Sequence, residues 1–310
     1  MTTPTASVGV DVDSLCHYYR IHGLDEVSAS NAAWEIGVPR FVELFSSIGI
    51  PASFYCIAED LDIEGNDARM RALADAGHEI GNHTENHRYD LSKLNDEEIE
   101  FEVSHSRQRL SQASGQNVVG FRAPGYNTNA RLMRAVFAAG HTYDSSVFPC
   151  VPYYLAKASV MKWLQFRGRP SKSILGTPRV LTAPRYPYAM SLDEPHQRSD
   201  SGPRQYPISV VAGVPLIGTA FTALGPTASA TIARLALLQK GHLTLEFHAV
   251  DLLGLAEDEL DPSLAVQPDL RVSLERKRKT VRRVLGTIAR VRQFERLDHL
   301  TDAHGWGPAQ

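Results

Sequence analysis

Short apolar runs and segments of helical period take turns along this chain. Residues 8–12 read as a first strand. Val38, Phe41, Val42, Phe45 and Ile48 then recur at helical spacing, with Pro39 near the start of that helix. Residues 52–57 form a second strand. Asn66 is the expected cap of a helix that runs through Met70 and Leu73 and stops at Gly77. Residues 79–81 make a short strand leading into His83, and Asn95 with Glu98 has the form of a capping box for a helix to about residue 113. A strand over 118–121, a helix over 131–139 closed by Gly140, and a strand over 141–143 follow. Later strands are expected at 208–211 and 243–247, with a helix around 228–239 between them. This alternation predicts an α/β architecture.

One stretch breaks the rhythm. Residues 149–207 are rich in Pro, Arg, Ser and Tyr, with weak strand and helix signals. They are expected as an irregular insertion on a single domain spanning residues 1–310, either a lid that shapes substrate binding or a plain surface excursion.

Composition narrows the function. The 310 residues are 43% hydrophobic and 22% charged, with a formal net charge of -3. That balance gives no reason to expect a nucleic-acid partner. No run reaches the roughly 18 apolar residues of a membrane span. The N-terminus shows no basic segment followed by an apolar one. Three widely spaced cysteines, Cys16, Cys56 and Cys150, do not form a disulfide framework and suit a reducing compartment. The expectation is a cytoplasmic protein. The basic run Arg276-Lys277-Arg278-Lys279 with Arg282 and Arg283 is either a solvated helix face or a contact for the anionic inner face of a membrane.

The informative feature is where chemically capable residues fall. The first strand ends in Asp11-Val12-Asp13, the third in His83-Thr84-Glu85-Asn86-His87, the fourth in Arg122-Ala123-Pro124-Gly125-Tyr126, the fifth in Asp144-Ser145-Ser146 and the last in His248. In a parallel α/β barrel or open sheet these ends converge on one face, where active sites sit. His83 and His87 have a spacing that lets both rings point to one side, and two neutral imidazoles with a carboxylate are a common zinc set that leaves room for water. Taken alone, such a pair more often caps backbone groups. Asp11 and Asp13 share one face of an extended strand, where a metal would divide their roles into ligand and base. A turn-forming Asp pair is the plainer alternative. Arg122 is suited to holding the free Asp, although a surface ion pair would use the same residue. Alternation along 243–248 puts Thr244, Glu246 and His248 on one face. His248, structural if read singly, makes a good general acid in this company.

The set resembles the NodB-homology polysaccharide deacetylases, carbohydrate esterase family four, over about residues 8–148 and again over 208–251. His83-Thr84-Glu85-Asn86-His87 is similar to the family's metal-binding His motif, Arg122-Ala123-Pro124-Gly125 to its Arg-x-Pro motif, and Leu245-Glu246-Phe247-His248 to its Leu-x-x-His motif. Two elements depart from the pattern. Val10-Asp11-Val12-Asp13-Ser14 spaces two carboxylates that the family usually sets side by side. This form resembles a subgroup of cytoplasmic peptidoglycan-type deacetylases and lipid-linked formamidoarabinose deformylases. Asp144-Ser145-Ser146 lacks the Trp of the family's Asp-x-x-Asp-Trp element, which puts chitin-like polymers in doubt.

The resemblance implies a distorted (β/α) barrel with fewer than eight complete strands. It implies Asp13, His83 and His87 as ligands of a divalent metal, zinc for preference, Asp11 as base oriented by Arg122, and His248 as acid. Tyr126, Pro124 and Asp144 are candidate substrate contacts, with an oxyanion donor expected in a backbone N–H near Tyr126. The implied function is hydrolysis of an N-acyl group, acetyl for preference, from an amino sugar or a glycan or glycolipid precursor. A deformylase on a lipid-linked amino sugar is the alternative. A non-catalytic carbohydrate-binding protein of the same fold and a metal-free hydrolase of cyclic ureides are alternatives of other kinds, and the retained histidines weigh against both.

Overall fold

The computed structural model describes residues 4–24, 30–166 and 174–303. Its strands in chain order are β1 (Thr5–Val12), β2 (Ser53–Cys56), β3 (Glu79–Asn82), β4 (Gly120–Phe121), β5 (Tyr143–Asp144), β6 (Tyr188–Ala189), β7 (Arg204–Gln205), β8 (Val210–Val211), β9 (Val214–Pro215), β10 (Leu243–His248) and β11 (Gln293–Phe294). The helices are α1 (Leu15–His22), α2 (Val38–Ile48), α3 (Asn66–Asp75), α4 (Asp96–Glu100), α5 (Ser106–Ser114), α6 (Ala130–Ala138), α7 (Val151–Phe166), α8 (Gly218–Ala236), α9 (Leu274–Ala289) and α10 (Leu297–Ala303).

The main sheet runs β10-β1-β2-β3-β4-β5-β7-β6, with β11 beside β1. Every pairing in it is parallel except β6 with β7. It curls. In a flat sheet, β1 and β4 would lie roughly 14 Å apart at about 4.8 Å per strand, yet Arg122, just past β4, reaches Asp11 on β1 at 2.5 Å. Residues 206–209 close the remaining side without a full strand. Tyr206 N–H donates to Asp144 C=O, Ile208 N–H to Val147 C=O and Ser209 N–H to Thr244 C=O. The fold is therefore a curled, incomplete α/β barrel.

Alternation along β1 explains its two layers. Ala6, Val8, Val10 and Val12 face outward into the main core with Phe54, Phe247, Phe41, Phe45, Phe221 and Leu285. Ser7, Gly9 and Asp11 face the barrel interior, which is polar. Two interior glycines are there for space. A Cβ on Gly9 would sit 2.8 Å from the Arg122 guanidinium, and one on Gly81 2.6 Å from the Tyr55 ring.

The expected elements are present with some corrections. Asn95 and Glu98 form the capping box. Asn66 is the first residue of α3, after Gly65, and is no cap: its buried amide donates to Asp60 C=O. The helix expected to run to about residue 113 is broken by a π-helical turn at Phe101–His105. Residues 208–211 yield only β8, in a hairpin with β9 outside the main sheet. The stretch expected to be irregular holds a 16-residue helix, α7, as well as β6 and β7, while its residues 167–173 lie outside the described residues. α7 was illegible because it lacks a contrast of faces: Val151, Leu155 and Val160 are all exposed. The basic run lies on α9. Lys277 is withdrawn from it, fully buried and donating to the carbonyls of Val250, Leu253 and Asp269. No described helix is long and apolar enough to cross a membrane.

A polar column fills the lower barrel. The Tyr55 and Tyr143 hydroxyls lie 3.2 Å apart, Tyr143 donates to Glu79 Oε1 at 2.6 Å, and Ser53 donates to Glu79 Oε2 at 2.5 Å. Asp298 N–H also points at Glu79, and Arg296 stands beside it, paired with Asp298. Burial, assisted by Asp298, pushes the Glu79 carboxyl up to about 8. An unfolded Glu ionises near 4.5, so between these values the folded protein holds one more proton than the unfolded chain. Stability from this site is complete below about pH 4.5 and is lost as pH rises through 8. Asp60, held up to about 7, and Asp144, up to about 6, act in the same sense. Buried His17 and His78, held down to about 4, and His141, down to about 3, act in the opposite sense below about pH 6.5, so the contribution of Glu79 is read as the downward slope it adds to denaturant titrations from pH 5 to 8. Glu79→Gln should remove up to about 1.4 kcal/mol per pH unit of that slope. Equal slopes in the two proteins would show that Glu79 is ionised in the fold.

Candidate active site

The strand ends deliver their polar residues to one place. β1 ends with Asp11 and Asp13. β3 passes into a loop strained at Thr84 (φ 73°) and His87 (φ 51°), conformations that ordinary side chains adopt rarely. Asn82 holds the loop by accepting from Thr84 N–H, and Thr84 Oγ1 accepts from His87 N–H. The twist brings His83 and His87 together, ring centroids 4.8 Å apart.

His83 Nε2 lies 3.4 Å from Asp13 Oδ1, and His87 Nε2 lies 3.5 Å from Asp13 Oδ2. All three residues are buried. The other nitrogen of His83 is 2.7 Å from the Arg122 carbonyl, an acceptor only. Nδ1 therefore carries a proton, and Nε2 is turned to the Asp13 carboxylate; burial opposes a second proton on the ring, but Asp11 and Asp13 raise its pKa. Two imidazole Nε2 atoms face one carboxylate at separations longer than the usual charge-assisted hydrogen bond, with Asp13 Oδ1 lacking a hydrogen-bond partner, an arrangement with room for a cation in place of a ring proton. The ligand atoms of Asp13, His83 and His87 all lie within 4.8 Å of one another. Two imidazoles and a carboxylate suit a divalent ion with an open position, so the residues fit the metal the sequence motifs imply.

Asp11 stands apart from this set. Its Oδ1 accepts from Arg122 at 2.5 Å, and Oδ2 is 4.0 Å from His83. Arg122 is wholly buried and fully engaged. Its Nε donates to Ser145 C=O, its other terminal nitrogen to Ser145 Oγ, both at 3.0 Å, and the Tyr55 ring lies 4.0 Å beneath it. Burial would lower the Arg122 pKa, but Asp11 outweighs it and raises it. Arg122 is a fixed cation.

His248, at the end of β10, lies 3.7 Å from Asp13 through Nε2 and 2.8 Å from Glu246 through Nδ1. Burial opposes its protonation, but Glu246 prevails and holds its pKa well above the ordinary value. Asp251 accepts from His248 N–H and fixes the backbone there. His87, by contrast, is kept neutral by burial.

The structure thus brings Asp11, Asp13, His83, His87, Arg122 and His248 to one centre. Pro124 opens the tight turn Pro124–Tyr126 beside it. Two expectations change. Asp144 turns out of the barrel, because β5 puts Tyr143 and Ser145 inward. Its carboxylate accepts from Ser146 N–H and Oγ, and Ser146 Oγ in turn accepts from Ala123 N–H. Asp144 braces the Arg122 turn and offers no surface to a substrate. An oxyanion donor was expected in a backbone N–H near Tyr126, but that of Tyr126 itself is committed to Ala123 C=O at 3.0 Å.

Sequence reasoning missed Glu246 as the partner of His248, although alternation had put both on one face. It also missed Ser145 and Tyr55 around Arg122, and buried His17, whose ring lies 4.6 Å from His87. His17 and Tyr55 carry no motif that announces them.

Residues 31–143 match the family model "Polysaccharide deacetylase", a span that includes both histidines of the β3 loop and Arg122. A curated peptidoglycan deacetylase of Helicobacter pylori is 28% identical over 155 residues, 47% of this chain. The chain spans about half the length of that relative, 51% of it. A solved Mycobacterium smegmatis structure assigned provisionally to the polysaccharide deacetylases shares the fold, with a TM-score of 0.61 at 15% identity over 99% of this chain and 93% of the other. A family 4 carbohydrate esterase from Streptomyces lividans aligns at a TM-score of 0.46 and 12% identity, over 92% of this chain and 88% of the other. Over residues 31–143 the chain is thus similar in sequence to the polysaccharide deacetylases, and with the Mycobacterium smegmatis protein it shares the fold.

Proposed function

We propose that this protein is a metal-dependent hydrolase that removes an N-acyl group, acetyl for preference, from an amino sugar within a glycan. The observation that carries the reading is the meeting of Asp13, His83 and His87 beside two separately held groups, Asp11 with Arg122 and His248 with Glu246. A divalent cation bound there, zinc by its ligand set, would supply Lewis-acid polarisation of the acyl carbonyl and a more acidic water. Asp11 is held and aimed by Arg122, and it takes a proton from the attacking water. The water oxygen adds to the carbonyl carbon. His248 gives its proton to the amide nitrogen, so that the C–N bond breaks to a neutral amine and Glu246 steadies the imidazolium. The products are a carboxylic acid and the free amino sugar. The sparse, widely spaced cysteines Cys16, Cys56 and Cys150 fit a cytoplasmic setting.

The test joins metal content to chemistry. Protein purified without a metal-affinity tag should carry about one zinc or similar ion per chain, and His83→Ala/His87→Ala should carry none. The native protein should release acetate from N-acetylglucosamine oligomers, and the variant should not. Release of formate from N-formyl amino sugars in place of acetate would favour the deformylase reading. Absence of metal from both proteins after incubation with zinc would overturn the metal-dependent mechanism. Metal without hydrolysis of any N-acyl sugar would leave a carbohydrate-binding protein.

A further inference from the structure

The centre is rich in acceptors and poor in donors. Asp11, Asp13 and Glu246 are carboxylates, and the Nε2 atoms of His83 and His87 are turned to Asp13. Of the donors, Arg122 is spent on Asp11 and Ser145. His248 is taken up by the leaving nitrogen in the reading above, and the Tyr126 N–H is spent on Ala123. A reaction that builds negative charge on an acyl oxygen needs a donor facing that oxygen.

One side chain is placed for this. The Tyr126 hydroxyl is buried and has no hydrogen-bond partner. Its surroundings put it in the same enclosure: Glu246, Asp11 and Arg122 are the charges that act on it most strongly. The residue sits there through a strained backbone. Gly125 (φ 62°) and Tyr126 (φ 63°) both lie in the left-handed region, which Tyr seldom occupies. The ring is fixed edge-on to Phe148, centroids 5.5 Å apart, and Phe148 is backed by Tyr153 at 4.5 Å. On the far side of the turn, Lys157 of α7 donates to the Gly125 carbonyl at 3.3 Å. A strained turn, clamped on both sides, that holds an unsatisfied buried hydroxyl is costly unless something accepts from it.

We propose that the Tyr126 hydroxyl donates a hydrogen bond to the acyl oxygen of the substrate, the task the family resemblance would give to a backbone N–H. The inference rests on the deacylase reading. The hydroxyl stays protonated throughout, since burial raises its pKa well above the ordinary value. It is a catalytic residue by contact, and the left-handed turn at Gly125 before it is what directs its side chain to this work.

The test is Tyr126→Phe in the metal-loaded full chain, which keeps the ring and its packing. Removing one donor of this kind lowers kcat by about 10²–10³-fold, with KM changed little. Metal content and thermal midpoint should match the native protein, which separates a lost donor from a disturbed fold. A second readout uses acetate as the probe, measured by calorimetry on both proteins, because its oxygens occupy the acyl position. Acetate affinity should fall about tenfold in the variant. Native kcat and native acetate affinity in Tyr126→Phe would overturn the proposal, and so would native protein that binds no acetate. If the native protein hydrolyses no N-acyl sugar yet binds acetate through Tyr126, the deacylase reading fails and the donor assignment stands.

Discussion

Replacing Arg122 by Leu should lower the unfolding free energy by about 3–5 kcal/mol and abolish hydrolysis. The guanidinium is fully buried and holds Asp11 Oδ1 at 2.5 Å. Removing one member of a buried ion pair leaves the other charge without compensation, and that residual charge carries most of the cost. The sign is decided by what remains: Asp11 would stand in a dry interior beside Asp13 and Glu246. A cycle makes the argument specific. Asp11→Asn/Arg122→Leu removes both charges and should recover a substantial part of the loss, because no unpaired ion is left. Denaturant midpoints of the native protein, the two single variants and the double variant supply all four corners. If the double variant is as unstable as the sum of the singles, Arg122 stabilises through its contacts with Ser145 and Tyr55 and not through Asp11. Arg122→Lys should not rescue activity, since a point-like ammonium cannot satisfy Asp11 and Ser145 together.

The centre was legible in the sequence because it is made of strand ends. Each polar residue that follows an apolar run in a parallel sheet is delivered to the same rim, so Asp11, His83, Arg122 and His248 could be joined without knowing the closure of the barrel. What lay hidden depends on the closure itself. Tyr55 and Glu79 read as ordinary strand residues, and only the curl of the sheet places them below Arg122. Asp144 was misread for a related reason. Its type suggested chemistry, but period-two alternation gives the inward position to Ser145. An oxyanion donor was expected in a backbone N–H near Tyr126, and the left-handed turn at Gly125 folds the N–H of Tyr126 itself back onto Ala123. α7 escaped notice because its outer face is as apolar as its inner one. In each case the missing information was long-range packing, which local pattern does not carry.

Replacing His248 by Ala should separate two kinds of leaving group. An amine expelled from an amide must be protonated as the C–N bond breaks, whereas a nitrophenolate leaves unassisted. If His248 is the acid, His248→Ala should lose about 10²–10⁴-fold on an N-acetyl amino sugar and no more than about tenfold on 4-nitrophenyl acetate. Its position favours that role: 24% of the side chain is exposed, while Asp13 and Glu246, on either side of it, are enclosed. Glu246→Gln should shift the same comparison in the same direction by less, since the amide can still orient Nδ1 but no longer stabilises the imidazolium. Both variants should retain metal, because His248 lies outside the Asp13, His83 and His87 set. Equal losses on amide and ester would mean that His248 does not deliver the proton. The 3.7 Å approach of its Nε2 to Asp13 would then be its working contact, and it would act by positioning that carboxylate.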